Sequence, residues 1–245
     1  MSARILASTT RRILSQLRHD RRTIALLLFV PVVLLTLLYY MYRNVPGVFD
    51  RVGLIMLGVF PFVIMFLITS IAMLRERTSG TLERLLTTPM GKVDLLFAYG
   101  IAFGLAAAVQ ATIASGVSYW LFGLNTQGPP DLVILIAIAN AVLGVALGLF
   151  CSAFARTEFQ AVQFMPIVVV PQILLCGLFV ARASMASWLH ALSNVLPMTY
   201  SVEALQEVGA HTSATARLWQ DFGIVVGCVV IALTLAAATL RRRSQ

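Results

Sequence analysis

The residues able to do chemistry gather in one place. The stretch RERTSGTLERLLTTPM, positions 75–90, carries Arg75, Glu76, Arg77, Glu83 and Arg84 between two long apolar runs. Carboxylates and guanidiniums so close together can pair with a partner surface or set the ends of a helix. They do not have the spacing of a catalytic site. His19, His190 and His211 show no HExxH spacing and have no neighbouring thiol, so they predict no metal site. Cys151, Cys176 and Cys228 are odd in number, lack CxxC spacing and fall in or at the ends of apolar runs, as small buried hydrophobes do. The Gly91-Lys92 pair is followed by Val93 and has Leu86 where a phosphate-binding P-loop needs glycine. The chain is therefore expected to have no catalytic residue, no metal and no cofactor of its own.

The elements around that stretch are set by lipid. The chain is 59% hydrophobic and 11% charged, against about 25% charged in a soluble domain. A membrane-crossing helix needs about twenty apolar residues, and six segments qualify: 23–42, 52–74, 95–124, 132–154, 164–181 and 222–240. The first is expected to stay uncleaved, since no small-x-small site follows it. With six spans, fourteen basic residues fall on the side of the termini and four, Arg43, Arg51, Arg182 and Arg217, on the other. The positive-inside rule then puts both termini in the cytoplasm. The net charge of +8 reports this topology and not nucleic-acid binding, because the basic residues flank spans and form no aromatic-interleaved patch.

Two further pieces are expected at the interfaces. In residues 1–22 Ile5, Leu6, Ile13, Leu14 and Leu17 approximate one apolar stripe among six arginines, which predicts an interfacial elbow helix near anionic lipid. Residues 182–221 are too long for a structureless loop. Their apolar spacing on either side of Pro197 predicts two short helices within 185–208 that dip into the outer leaflet or cap the bundle. The expectation is an all-α integral membrane protein whose domain of residues 23–245 follows the elbow.

No Asp, Glu, Lys or Arg lies in the middle of an expected span. Such residues are costly in lipid and usually mark proton relays or ion sites. Their absence disfavours a charge-relay carrier. Gln110, Thr112, Ser115, Ser118, Asn140 and Gln172 either line a passage or hydrogen-bond between helices. Gly100-x3-Gly104 and Gly144-x3-Gly148 both permit close helix approach.

Within the charged stretch Gly80 can cap a helix, with Glu83 at the favourable third position. Leu82, Leu85 and Leu86 share one face, and Pro89 stops the helix. A helix of about two turns over 80–88 is not stable alone, so its leucine face needs a surface. The stretch resembles the E-R-x-x-G-T-L-E-x-L-x-x-T-P signature of the ABC-2 family of ATP-binding-cassette exporter permeases. QILLCGLFVARASMASWLHALSNVLPMTYSVEAL resembles the end of that domain, near the fifth span and the outer re-entrant helices; the resemblance points to the drug-resistance and nodulation-type subgroup, although Ala181 and Ala186 stand where that subgroup often has proline.

The resemblance implies a permease subunit in the bacterial plasma membrane. It implies pairing with a second permease chain, as homo- or heterodimer, and with two cytoplasmic P-loop ATPase subunits that bind ATP and magnesium. It makes the segment after span two a coupling helix. Glu76, Gly80, Thr81, Leu82, Glu83 and Leu86 match the motif and would contact or orient the ATPase, with Leu85 on the same face. Spans two and five would flank the passage, which makes Tyr39, Tyr40, Phe60, Phe62, Phe66, Gln172 and Phe179 candidates to meet an amphiphilic cargo such as a drug, lipid or glycolipid. An ion-coupled carrier would instead work without an ATPase, and a membrane-embedded enzyme would need a polar cluster at one depth.

Overall fold

The computed structural model describes residues 3–79 and 92–239, and those residues contain no strand. Six helices are long and apolar enough to cross a membrane. They are α2 (Arg21–Tyr42), α3 (Val48–Thr78), α4 (Lys92–Trp120), α5 (Pro130–Ser152), α6 (Glu158–Leu175) and α9 (Ala216–Thr239). Helix α1 (Ala3–His19) precedes them, while α7 (Ser187–Ser193) and α8 (Pro197–Ala210) fill the segment between α6 and α9. The protein is an all-α, multi-pass membrane protein. Pro31, Pro61, Pro166 and Pro171 all lie inside continuous helices.

Several helix ends differ from the apolar runs, each for a local reason. Helix α3 continues past Leu74 to Thr78, because the charges there are bonded to neighbouring helices. Helix α4 stops at Trp120 although Phe122 and Leu124 are apolar, since Gly123 turns the chain at φ +65°. Helix α6 starts earlier than expected, at Glu158, where the Thr157 hydroxyl accepts from the Gln160 amide at 3.2 Å. It ends before Gly177, whose φ of +94° breaks the helix. Helix α9 begins at Ala216 because Thr215 caps the amide of Leu218 at 3.1 Å. That start brings Asp221, 5% exposed, into the helix rather than the loop before it.

Helices α3 and α5 form the centre of the bundle and make its most extensive packing. Lipid tails are as apolar as leucine, so close packing and hydrogen bonds must hold helices together here. Gly144 and Gly148 provide the closeness: a Cβ on either would run into the backbone carbonyl of Phe62 or Phe66 on α3. At Gly100 and Gly104 an added Cβ would meet only ordinary contacts, at 3.5 and 3.7 Å. The two small-residue patterns, equivalent in sequence, are thus unequal in the fold.

Three of the polar span residues bridge elements. Asn140 on α5 donates to the Gly58 carbonyl on α3 at 3.0 Å, and Gln110 on α4 donates to Leu27 on α2 at 2.8 Å. Gln172 on α6 accepts from the Met198 amide at 3.3 Å, satisfying one of the free N–H groups at the start of α8. Bonds of this kind average about 0.6 kcal/mol in membrane bundles. Ser115 and Ser118 are buried, whereas Thr112 faces outwards.

Helix α8 packs on α9, α3 and α5, with Leu205 against Gly58 and Gly209 against Leu54. Arg182 ties the preceding turn to it by donating to Glu203, Ser193 and Asn194. All three tryptophans, Trp120, Trp188 and Trp219, are exposed at this end, as expected of an interfacial aromatic belt. At the other end α1 lays Ile13, Leu6, Leu14 and Leu17 against a core that includes Tyr99 and Phe103 of α4. Its apolar face is therefore turned to protein. Arg4, Arg11 and Arg18, seven residues apart on one stripe, are exposed.

Candidate coupling site at the end of the second span

Three consecutive residues in the last turns of α3 reach three different elements. Arg75 forms a two-pronged pair with Glu158 at the start of α6, Nε to Oε1 at 2.7 Å and Nη2 to Oε2 at 3.1 Å. Glu76 accepts from Nη2 of Arg12 on α1 at 2.9 Å. Arg77 donates to the Ser152 carbonyl at the end of α5. Successive helix positions point about 100° apart, so one turn of α3 can address α6, α1 and α5 together. The end of α3 is a junction.

Exposure ranks these ties. The Arg75 and Glu158 side chains are 61% and 53% exposed, so their pair is screened and contributes about 0.2–1 kcal/mol. Arg12 and Glu76 are 30% and 11% exposed, and removing one partner would leave the other charge poorly solvated. Ser79 closes the helix by donating its amide to the Arg75 carbonyl at 2.9 Å. On the far side of the charged stretch, α4 opens with a second buried carboxylate, Asp94, 8% exposed. Glu76 and Asp94, both buried carboxylates, thus lie on either side of residues 80–91.

Of the residues expected to couple, Glu76 lies within this junction, its carboxylate turned towards α1. Gly80, Thr81, Leu82, Glu83, Leu85 and Leu86, with the expected helix over 80–88, lie outside the described residues.

Comparison with known proteins decides what carries this junction. Residues 3–208 match the ABC-2 type transporter family. The chain belongs to that family. Among relatives of this ABC-2 chain, "ABC transporter G family member 20" of Dictyostelium discoideum is 25% identical over 183 residues, 73% of this chain and 25% of the relative. "Probable multidrug ABC transporter permease YbhS" of Escherichia coli K12 is 29% identical over 180 residues, 72% of this chain and 47% of the relative. "Linearmycin resistance permease protein LnrN" of Bacillus subtilis 168 is 23% identical over 168 residues, 69% and 43%. The chain spans less than half the length of these relatives.

The residues expected to line a passage are dispersed in this ABC-2 bundle. Phe62 and Phe66 have no exposed surface and belong to the central core; Gln172 is 2% exposed and bonded to α8. Phe60 is partly covered by the same core. Tyr39 stacks on Phe122 with ring centres 4.8 Å apart, and meets Tyr40 and Phe49 edge-on. Only Tyr40 and Phe179, at 62% and 67% exposure, lie open on the surface of the chain. Helices α2 and α6 are the least covered of the spans, with 17% and 22% of their apolar stretches buried, against 67% for α3 and for α5.

Sequence reasoning missed Arg12, Glu158 and the Ser152 carbonyl as partners of the charged stretch. Arg12 is one basic residue among several on α1, and a backbone carbonyl leaves no trace in sequence. Glu158 did leave one: Thr157 with Gln160 three residues on is a helix-start signature.

Proposed function

We propose that the chain is the permease part of an ATP-driven exporter, paired with a second permease chain and with two cytoplasmic P-loop ATPase subunits. Segment 80–88 seats Leu82, Leu85 and Leu86 on the ATPase, and ATP and magnesium are bound there rather than in this chain. The observation that carries this reading is the junction of Arg75, Glu76 and Arg77, which leads directly into the motif. A push on the segment passes into α3 and from it to α1, α5 and α6 through bonded side chains. The proposed orientation has this end in the cytoplasm of a bacterial cell, a reading supported by the fourteen-to-four split of basic residues. The exposed sides of α2 and α6, with Tyr40 and Phe179, face the second chain and the passage. With so little charge among its spans, the protein suits an amphiphilic cargo: a drug, a lipid or a glycolipid.

Reconstitution tests this. The purified chain in liposomes is expected to hydrolyse no ATP and to move no cargo under a proton or sodium gradient. Co-expressed with its ATPase, it is expected to co-purify with that subunit and to transport on addition of ATP. Gradient-driven transport by the chain alone would overturn the proposal.

A further inference from the structure

A cavity of about 360 Å³ opens at the α1 end of the bundle, between α1, α2, α3 and α4, away from Tyr40 and Phe179. This lies within the range of small-ligand sites. Its wall is apolar, formed by Leu26, Leu67, Ile68, Ile71 and Phe103, and its rim carries Asp20, Arg75 and Glu76. From Leu67 to Arg75 the wall follows α3 for about 12 Å at 1.5 Å per residue. One leaflet of hydrocarbon is about 15 Å deep. The cavity therefore has the depth of a single leaflet, with charge where headgroups lie and hydrocarbon below.

The rim chemistry selects among lipids. Glu76 is neutralised by Arg12. Arg75 uses Nε and Nη2 on Glu158, which leaves Nη1 outside that pair. Asp20 accepts from the Thr23 hydroxyl at 2.6 Å and from its amide at 3.1 Å, and these bonds hold the carboxyl below its usual range and keep it ionised. Among the described residues Asp20 has no ion-pair partner within 4.0 Å. The rim thus offers one carboxylate for an ammonium and one guanidinium N–H for a phosphate oxygen. We infer that this cavity holds one acyl chain of a phosphoethanolamine lipid from the leaflet on the α1 side, with its ammonium at Asp20 and its phosphate at Arg75. A phosphocholine headgroup has no N–H to donate, and a phosphoglycerol headgroup has no cation. The inference stands whether or not the chain couples to an ATPase.

Native mass spectrometry of the full chain, delipidated in neutral detergent and titrated separately with phosphatidylethanolamine, phosphatidylcholine and phosphatidylglycerol, tests it. Wild type is expected to retain one phosphatidylethanolamine at a concentration about tenfold below the other two, because two headgroup charges meet two fixed partners at once. Asp20→Asn keeps a residue that caps helices well and is expected to reduce the preference to within twofold. Ile71→Trp, which fills the groove, is expected to abolish the tight site, while Leu105→Trp on the outer side of α4 leaves it unchanged. Equal retention of the three lipids by wild type, a preference for phosphatidylglycerol, or an ethanolamine preference that survives Asp20→Asn would overturn the inference. If Ile71→Trp does not fold, Asp20→Asn at the exposed rim still decides.

Discussion

At the scale of single residues, the informative group is the Glu76 carboxylate. In sequence it is one letter of a motif that predicts contact with, or orientation of, an ATPase. In the fold it is buried and bonded to Arg12, so it ties the motif to α1. Glu76→Gln would leave the Arg12 guanidinium short of a counter-charge. The expected cost is about 1–2 kcal/mol, discounted for the partial exposure of Arg12, read as a lower midpoint of thermal unfolding in detergent. Arg12→Gln combined with Glu76→Gln is expected to recover part of that loss, so the cycle gives a favourable coupling energy. Strictly additive effects would show that the pair contributes nothing. Glu83→Gln should behave differently. If its carboxylate favours a helix start, the variant is expected to keep the ATPase bound but lower transport per ATP hydrolysed, measured in proteoliposomes. Arg12 was not legible as the partner, because the two residues meet only through the packing of α1 on the bundle.

At the scale of elements, the spans were legible because lipid imposes a long apolar run on each. Their ends were less so, since hydropathy does not register a glycine at positive φ or a threonine cap. Gly123 and Gly177 ended two helices inside apolar sequence, and Thr157 and Thr215 started two outside it. The glycine pairs show the same limit, because pattern alone cannot say which glycine faces a backbone. Gly144→Ala and Gly148→Ala are expected to force α5 away from α3 and cost about 1–3 kcal/mol each, as overpacking does. Gly100→Ala and Gly104→Ala meet only ordinary contacts and are expected to be near neutral or to stabilise slightly. Size-exclusion profiles and thermal midpoints of the four variants check this. Similar behaviour at all four sites would mean that the close approach of α3 and α5 does not limit stability.

At the scale of the whole molecule, the account requires one end of the bundle to face the ATPase. The proposed orientation, read from the charge split, has Ser79 on the cytoplasmic side and Gln127 and Ser213 outside. In a cysteine-free background, Ser79→Cys is expected to resist an impermeant thiol reagent in intact cells, and Gln127→Cys and Ser213→Cys to react. Labelling at 79 from outside would reverse the orientation. The central claim, that energy is delivered through the segment after the second span, is tested most directly by ATPase retention. Detergent-solubilised complexes of wild type, Leu82→Ala and Leu86→Ala would be captured through the permease and the bound ATPase quantified. A leucine seated in a groove that cannot collapse contributes about 2–5 kcal/mol, which is at least about a thirtyfold loss of affinity at 1.4 kcal/mol per decade. The account predicts that loss for both variants, with insertion and pairing of the permease unchanged. ATPase retention equal to wild type in both would contradict it.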